Sequence, residues 1–331
     1  MSTEHSAAAR TAPPPASGTP PDPAQCRGPR YWPVWIGYAL IRLLSGLPAP
    51  VQRTLAVGIG RVGWFVARRE RRTTLVNLRL AYPQWTEQAR RTLGRRHFES
   101  LAYGVFETGL VWFGDSSRLA RVSHLEGREH LDAAVLRGKG VLLLGGHFTT
   151  NEIAAATLPQ SGHAVSIMYK APKNPLMHAL AIRRRSGRGG TMIPADRLVD
   201  MVQALKKGAI VLYAPDQRYD QRDAITVPLF GVPALSNPGT PVIARYTGCA
   251  VLPYFPLRLP DGNYVMTIGA PLEHFPSADV AADVGRFFWL LEAAVERAPE
   301  QYLWSYKRYR PADGAPDPYR RGVARGYTPP A

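Results

Sequence analysis

The sequence predicts an α/β fold, a mixed and largely parallel sheet flanked by helices, with an N-terminal helical region of membrane-associated character. Three observations carry this. From about residue 125, short apolar runs alternate with segments of helical periodicity, the pattern of a sheet covered by helices. Ahead of them, residues 73–113 recur at helical spacing. Ahead of those lie two apolar stretches edged by aromatic and basic residues.

Residues 1–30 are dominated by Ala, Pro, Ser, Thr and Gly, lack apolar periodicity and read as a disordered tail. No secretory leader pattern opens the chain. Residues 31–72 form the expected membrane-associated segment. Tyr31 to Pro48 is apolar for about 17 residues, the lower limit for crossing a bilayer, but Arg42 interrupts it. Tyr31, Trp32, Trp35 and Tyr38 crowd one end like an interfacial belt. A second apolar piece ends at Arg68, Arg69, Arg71 and Arg72, which suits anionic lipid at a cytoplasmic surface. Two amphipathic helices in an ordinary core would read much the same.

The expected α/β domain covers 73–312, with a flexible tail at 313–331. Thr86 is a plausible N-cap, and Leu93, Phe98, Leu101, Val105 and Leu110 follow at helical spacing. "GVLLLGG" reads as a buried strand, "EIAAATL" as a helix and "HAVSIMY" as a strand. "NPLMHALAIRRRSG" is a helix closed by Gly187, "TMIPA" a strand, and "RLVDMVQALKKG" a helix with Gly208 past its end. "AIVLYAPD" is another strand. Thr240 and Pro241 open the helix "VIARYTG". "AVLPYFPLRL" and "YVMTIG" are late strands, and "DVGRFFWLLEAAVERAP" is a helix.

The 331 residues carry a formal net charge of +16, which implies acidic partners: nucleic acid, anionic headgroups or an acidic carrier protein. The two cysteines, Cys26 and Cys249, provide neither a disulfide framework nor a zinc site.

Chemistry concentrates at "GVLLLGGHFTTNEIAAATL". His147 stands where a strand ends, the usual place for a ligand in an open α/β sheet. Glu152 follows five residues on. On one helix those positions lie about 140° apart, so the two meet only if His147 is in the turn and Glu152 in the first helical turn. A histidine held by a carboxylate is a general base with a fixed tautomer. No G-x-S-x-G elbow accompanies it, so the base activates a hydroxyl of the substrate, as in acyl transfer from a thioester to an alcohol. A packed polar histidine is the bland alternative. A metal site is the weaker one, because His124, His130, His163 and His178 have no ligand spacing.

Several stretches in order resemble one family over about residues 32–311. They are "RRERRTTLVNLRLAYPQWTEQARRTLGRRHFESL", "LEGREHLDAAVLRGKGVLLLGGHFTTNE" with its His-x4-Glu core, "MYKAPKNPLMHALAIRRRSG", "ALKKGAIVLYAPDQRYD", "PLFGVPALSNPGTPVIARYTG" and "APEQYLWSYKRYRP". Together they look like the late acyltransferases of lipid A biosynthesis, within the glycerolipid-type acyltransferase superfamily. The resemblance implies that a fatty acyl chain moves from acyl carrier protein to a hydroxyl of a Kdo-bearing, phosphorylated lipid A precursor. It places the enzyme at the cytoplasmic face of the bacterial inner membrane. It implies no cofactor, no metal and no nucleic acid. His147 becomes the base and Glu152 its orienting acid. Lys170, Arg183 or a backbone N–H near Gly145 and Gly146 become donors to the oxyanion.

Arg183, Arg184, Arg185 and Arg188 are candidate phosphate contacts or simply a solvated helix end. Asp216, with Gln217 beside it, stands at a second strand end and either binds substrate, braces the site or closes an Asx-turn. Asn237, Gly239 and Thr240 either shape the pocket or cap a helix. Two departures stand out. The family carries Tyr-Arg where this chain has Tyr169-Lys170, and His-Arg-Arg where it has Tyr306-Lys307-Arg308. Lysine keeps the charge but loses the bidentate fork, which bears on the acceptor more than on the chemistry.

"QYLWSYKRYR" interleaves aromatic and basic residues, as a membrane-interface surface or a single-stranded nucleic-acid surface would. Two rival readings follow: a related acyltransferase with another glycolipid, glycerolipid or aminolipid acceptor, and a basic non-enzymatic membrane or nucleic-acid binder.

Overall fold

The computed structural model describes residues 22–186, 191–312 and 316–320. Residues 1–21 of the expected tail lie outside the described part. Its last residues are folded: Pro23–Gln25 is one 3-10 turn, Cys26 is buried, and Trp35 Nε1 donates to the Cys26 carbonyl at 2.8 Å.

The helical region comprises α1 (Trp32–Ser45), α2 (Ala49–Val66), α3 (Arg68–Ala81) and α4 (Glu87–Phe113). Thr86 caps α4, its hydroxyl accepting from the Ala89 N–H at 3.2 Å. At the crossing of α2 and α4 a Cβ on Gly60 would lie 2.4 Å from the Glu99 Cα, so only glycine lets the backbones meet there. No helix among the described residues is long and apolar enough to cross a membrane.

The remainder runs α5 (Ser116–Val122), β1 (Ser123–Glu126), α6 (Arg128–Leu136), β2 (Val141–Leu144), α7 (Asn151–Thr157), β3 (Val165–Tyr169), α8 (Pro175–Ser186), β4 (Thr191–Pro194), α9 (Leu198–Lys206) and β5 (Ile210–Tyr213). Then follow β6 (Ile225–Leu229), β7 (Val232–Ser236), α10 (Gly239–Thr247), β8 (Ala250–Arg258), β9 (Tyr264–Ile268) and α11 (Val280–Arg297). Seven strands form one sheet in the order β1-β9-β8-β2-β5-β3-β4. The five from β8 to β4 are mutually parallel; β9 runs against β8, and β1 runs with β9. The sheet is thus mixed and largely parallel, as the alternation predicts.

Strand β2 shows why the sequence folds this way. Leu142 and Leu144 pack with Leu205 of α9 and with Phe288 and Leu291 of α11. Val141 and Leu143 pack on the opposite face with Leu131 of α6, Ile153 of α7 and Leu180 of α8. A strand covered on both faces reads as an unbroken apolar run. Each such side chain contributes about 1.5–3 kcal/mol of burial.

The sequence reading did not find β1, α6 or the β6–β7 hairpin. In the hairpin Pro228 pairs with Pro233, and prolines read as strand breakers. Its turn, Phe230-Gly231, has φ of 53° and 69°, the double positive φ that a type I′ turn needs. Helix α10 also starts earlier than expected, at Gly239. Asn237, not Thr240, serves its first turn, accepting from the Gly239 N–H at 2.7 Å.

The largest difference is at the C-terminus. Tyr302, Trp304, Arg308 and Tyr309 are all buried, so "QYLWSYKRYR" is interior rather than a membrane or nucleic-acid surface. Asn77 explains part of this, its Nδ2 donating to the carbonyls of Trp304 and Tyr306, each at 2.6 Å. Tyr319, inside the expected flexible tail, is buried and donates to Asn77 Oδ1. Residues 313–315 and 321–331 of that tail lie outside the described part.

Candidate active site

Strands β2 and β5 are parallel neighbours, with Leu144 opposite Tyr213. The pairing extends one step further, the Gly145 N–H donating to the Tyr213 carbonyl at 2.8 Å. His147 stands three residues past Leu144, and Asp216 three residues past Tyr213. Equal offsets on adjacent parallel strands bring the two side chains together. His147 Nδ1 lies 2.5 Å from Asp216 Oδ1, and the His147 backbone N–H donates to Asp216 Oδ2 at 2.9 Å. Tyr302 also donates its hydroxyl to Oδ2, at 3.1 Å. Gly146 makes the turn possible beneath α11, where a Cβ would come within 2.5 Å of Leu291 Cδ1.

The electrostatics favour a charged pair. Burial pushes the His147 pKa down, but the charge and hydrogen bond of Asp216 outweigh it and hold it above the ordinary 6.5. Burial pushes Asp216 up, but His147 outweighs it and holds the carboxyl below 3.8, with Arg308 assisting. Asp216 is 1% exposed whereas the His147 side chain is 32% exposed. With Nδ1 engaged, Nε2 is the nitrogen left for a substrate.

Glu152 does not fill the expected role of orienting His147. His147 is in the turn and Glu152 in the first turn of α7, as their meeting requires, yet the carboxylate faces α4 and α8. It accepts from Trp112 Nε1 at 3.3 Å and from Arg185 through Nη2 and, at 3.4 Å, through Nε. The carboxylate that orients His147 is Asp216, which the sequence left between binding substrate, bracing the site and closing a turn.

A cavity of about 300 Å³ opens beside the pair. His147 and Glu152 line it together with Tyr169, Lys170 and Arg185, and Ile167, Leu212 and Tyr254 supply apolar wall. One cleft is thus lined by a base, two cations and apolar surface.

Residues 21–311 match the family model of the bacterial lipid A biosynthesis acyltransferases. The chain belongs to that family. Among lipid A acyltransferases similar to it is the lipid A biosynthesis lauroyltransferase of Escherichia coli (strain K12), 35% identical over 294 residues, which are 88% of this chain and 96% of that protein. The lipid A biosynthesis palmitoleoyltransferase of the same organism is 32% identical over 286 residues, 85% of this chain and 92% of its own. The lipid A biosynthesis myristoyltransferase of that organism is 23% identical over 301 residues, 89% and 92% of the two chains.

Within this lipid A acyltransferase the remaining candidates separate. Lys170 lines the cleft. Arg183 does not; it is exposed on α8, and Arg185, on the other side of the helix, takes the cleft position. Arg184 turns to α1 and donates to the Tyr38 hydroxyl at 3.0 Å. Arg188 lies outside the described residues. Gln217 borders a small space behind His147, with Asn77, Tyr302 and Arg308. Gly239 and Thr240 begin α10 and are not part of the cleft lining. The Gly145 N–H is engaged in the sheet and is not free for an oxyanion. Tyr302 escaped the sequence reading, because only the folded return of the C-terminus brings it to Asp216.

Proposed function

We propose that this lipid A acyltransferase moves a fatty acyl chain from the thioester of acyl carrier protein to a hydroxyl of a phosphorylated lipid A precursor, with His147 as general base. The observation that carries this is the His147–Asp216 pair at the rim of the cleft. Asp216 fixes the proton on Nδ1 and stabilises the imidazolium. Nε2 takes the proton of the acceptor hydroxyl as its oxygen attacks the thioester carbonyl carbon. The C–S bond then breaks, and the leaving thiolate receives that proton from Nε2. Negative charge on the carbonyl oxygen meets Lys170 or Arg185. Glu152 holds Arg185 in place by the ion pair described above and so contributes through that cation. No step requires a cofactor or a metal.

The membrane role has its own support. On α1, Trp32, Ile36, Leu40 and Leu43 are exposed at helical spacing, and on α2 so are Val51, Leu55, Ile59, Val62 and Val66. An apolar face of this extent on a protein of charge +16 suits helices lying in the interface of an anionic membrane, at the cytoplasmic face of the inner membrane. Arg184 bridges α1, through the Tyr38 hydroxyl, to the helix that carries Arg185.

The test is transfer from radiolabelled acyl-acyl-carrier-protein to a Kdo-bearing lipid A precursor by the purified full chain. Transfer by the wild type, lost by about 10²-fold or more in a folded His147→Ala variant, is expected for removal of a general base. Full activity in that variant would overturn the base assignment. Transfer only to another glycolipid or glycerolipid would move the acceptor.

A further inference from the structure

We infer that Tyr302 is a positioning residue of the reaction, its hydroxyl setting the basicity of His147 through Asp216. This rests on the reading of His147 as the base. The C-terminal segment is built into the catalytic loop. The Thr149 N–H donates to the Gln301 carbonyl at 2.8 Å, and the Leu303 N–H donates to the His147 carbonyl at 3.0 Å. Between them Phe148 and Tyr302 pair as an antiparallel bridge. The Tyr302 ring is wedged edge-on between Phe148, with centroids 5.7 Å apart, and Trp304, 5.1 Å away. Backbone and ring thus leave the hydroxyl one direction, toward Asp216 Oδ2 at 3.1 Å.

The hydroxyl does two things there. It completes the donors around a carboxylate almost wholly removed from water, so that Oδ1 is held toward Nδ1. It also places the positive end of an O–H dipole on the far side of the carboxylate from the imidazole. That dipole tempers the field at His147 and lowers the affinity of Nε2 for a proton. Burial and the Asp216 charge hold the Tyr302 phenol well above its ordinary range, so it stays a donor at any working pH. The other titratable groups near the pair are Tyr213 of β5, Tyr306 and Arg308 of the C-terminal segment, and Glu152, Lys170 and Arg185 of the cleft lining. Tyr213, pushed up to about 12 by burial, and Tyr306, raised by burial, stay neutral with Tyr302. The sequence shows none of this, because Tyr302 and Asp216 are 86 residues apart.

Two changes at this position move the field in opposite directions. Tyr302→Phe removes the dipole and keeps the ring. Replacement of Tyr302 by 3-fluorotyrosine keeps the shape and strengthens the donor. The acidic limb of the pH–rate profile is expected to move up in the first by about half a pH unit, roughly a threefold loss below the limb, and down in the second. The ring-labelled His147 resonance, assigned by its disappearance in His147→Ala, is expected to titrate with the same opposed shifts. An unmoved limb and an unmoved His147 titration in both proteins, whatever the loss of rate, would reduce Tyr302 to packing and overturn the inference. If Tyr302→Phe does not fold, the fluorinated protein decides alone. If the wild type transfers no acyl chain, the acyltransferase mechanism fails while the His147 titration still decides the role of Tyr302.

Discussion

Asp216→Asn separates the tautomer role of this carboxylate from its shape. Asp216 accepts three hydrogen bonds in the structure: His147 Nδ1–H on Oδ1, and the His147 backbone N–H and Tyr302 O–H on Oδ2. An asparagine offers one acceptor oxygen and one NH2 group. The NH2 cannot face the His147 backbone N–H, because that donor is fixed and an N–H against an N–H leaves both unpaired. The oxygen therefore takes the Oδ2 position and the NH2 faces Nδ1. Nδ1 must then be the acceptor, which puts the ring proton on Nε2, the nitrogen that has to receive the hydroxyl proton. The fold is kept and the base is disabled. An exchange of this kind costs a rate factor of roughly 10³–10⁴, about 4–5 kcal/mol of transition-state stabilisation. The assay is single-turnover acyl transfer with saturating donor and acceptor, so that binding does not mask the chemical step. Circular dichroism and a thermal melt of the variant confirm the fold. A folded Asp216→Asn enzyme within tenfold of wild type would refute the argument that Asp216 fixes the tautomer.

Glu152→Gln tests the alternative partner. It is expected to cost about 10–100-fold through a loosened Arg185, and to leave the acidic limb of the profile in place; a limb that moves would show that Glu152, too, sets the charge on His147. The wild-type rate is expected to rise with pH through a value above 6.5, because the His147 pKa is raised and only the neutral ring is a base. Stability has the opposite sign on that side: the His147 contribution is complete below its unfolded pKa and lost as pH rises through the folded one. The Asp216 contribution is present above its unfolded value near 3.8 and lost as pH falls. Melting temperatures measured across pH 3–9 check both limbs. Ile36→Asp with Ile59→Asp changes two residues that are 66% and 52% exposed, so the melt is expected to shift little. Binding to anionic vesicles in flotation is expected to fall at least tenfold, since each lost side chain carries about 1.5–3 kcal/mol of apolar transfer. Glu107→Ala leaves Arg258, its buried partner at 2.6 Å, without a counter-charge and is expected to destabilise by about 3–5 kcal/mol, read by urea denaturation.

Much of the fold was legible because β2, β3, β5 and the helices between them follow simple periodicities, and β2 is apolar on both faces. The site was legible in part. His147 and Asp216 announce themselves as polar residues behind apolar strands, and their meeting was available in principle: "VLLLGGH" and "IVLYAPD" each place the polar residue six positions after the first residue of a paired strand. What the sequence does not contain is the strand order, which makes β2 and β5 neighbours. Without it, the carboxylate nearest in sequence, Glu152, is the natural partner. Arg183 fails for a related reason, since Arg183, Arg184 and Arg185 share one composition and only the packing of α8 against α1 and α7 selects the last for the cleft. The C-terminal segment misleads by composition. An alternation of aromatic and basic residues looks like an interface, but here the rings fill space under α11 and Arg308 is turned inward, donating to the Leu235 carbonyl at 2.7 Å and the Ser236 hydroxyl at 2.9 Å.

Helix α4 ties the apolar N-terminal face to the reacting loop. Its outer side carries α2 at the Gly60 crossing. Its inner side reaches the loop after β2 at two places. Ser100 Oγ lies 2.8 Å from Thr149 Oγ1, and Glu107 holds the Arg258 guanidinium, which donates to Ser100 at 3.0 Å and to Thr149 at 3.3 Å. One residue from the helix end, Trp112 donates to Glu152. A base must hold its geometry to a fraction of an ångström while its lipid acceptor arrives from a fluctuating surface. Buried, charge-assisted contacts from one 27-residue helix give the loop that rigidity, and they do so from the element on which the proposed membrane face rests. Residues two steps removed from His147, Ser100 and Arg258 among them, therefore belong to the catalytic geometry as much as those that line the cleft.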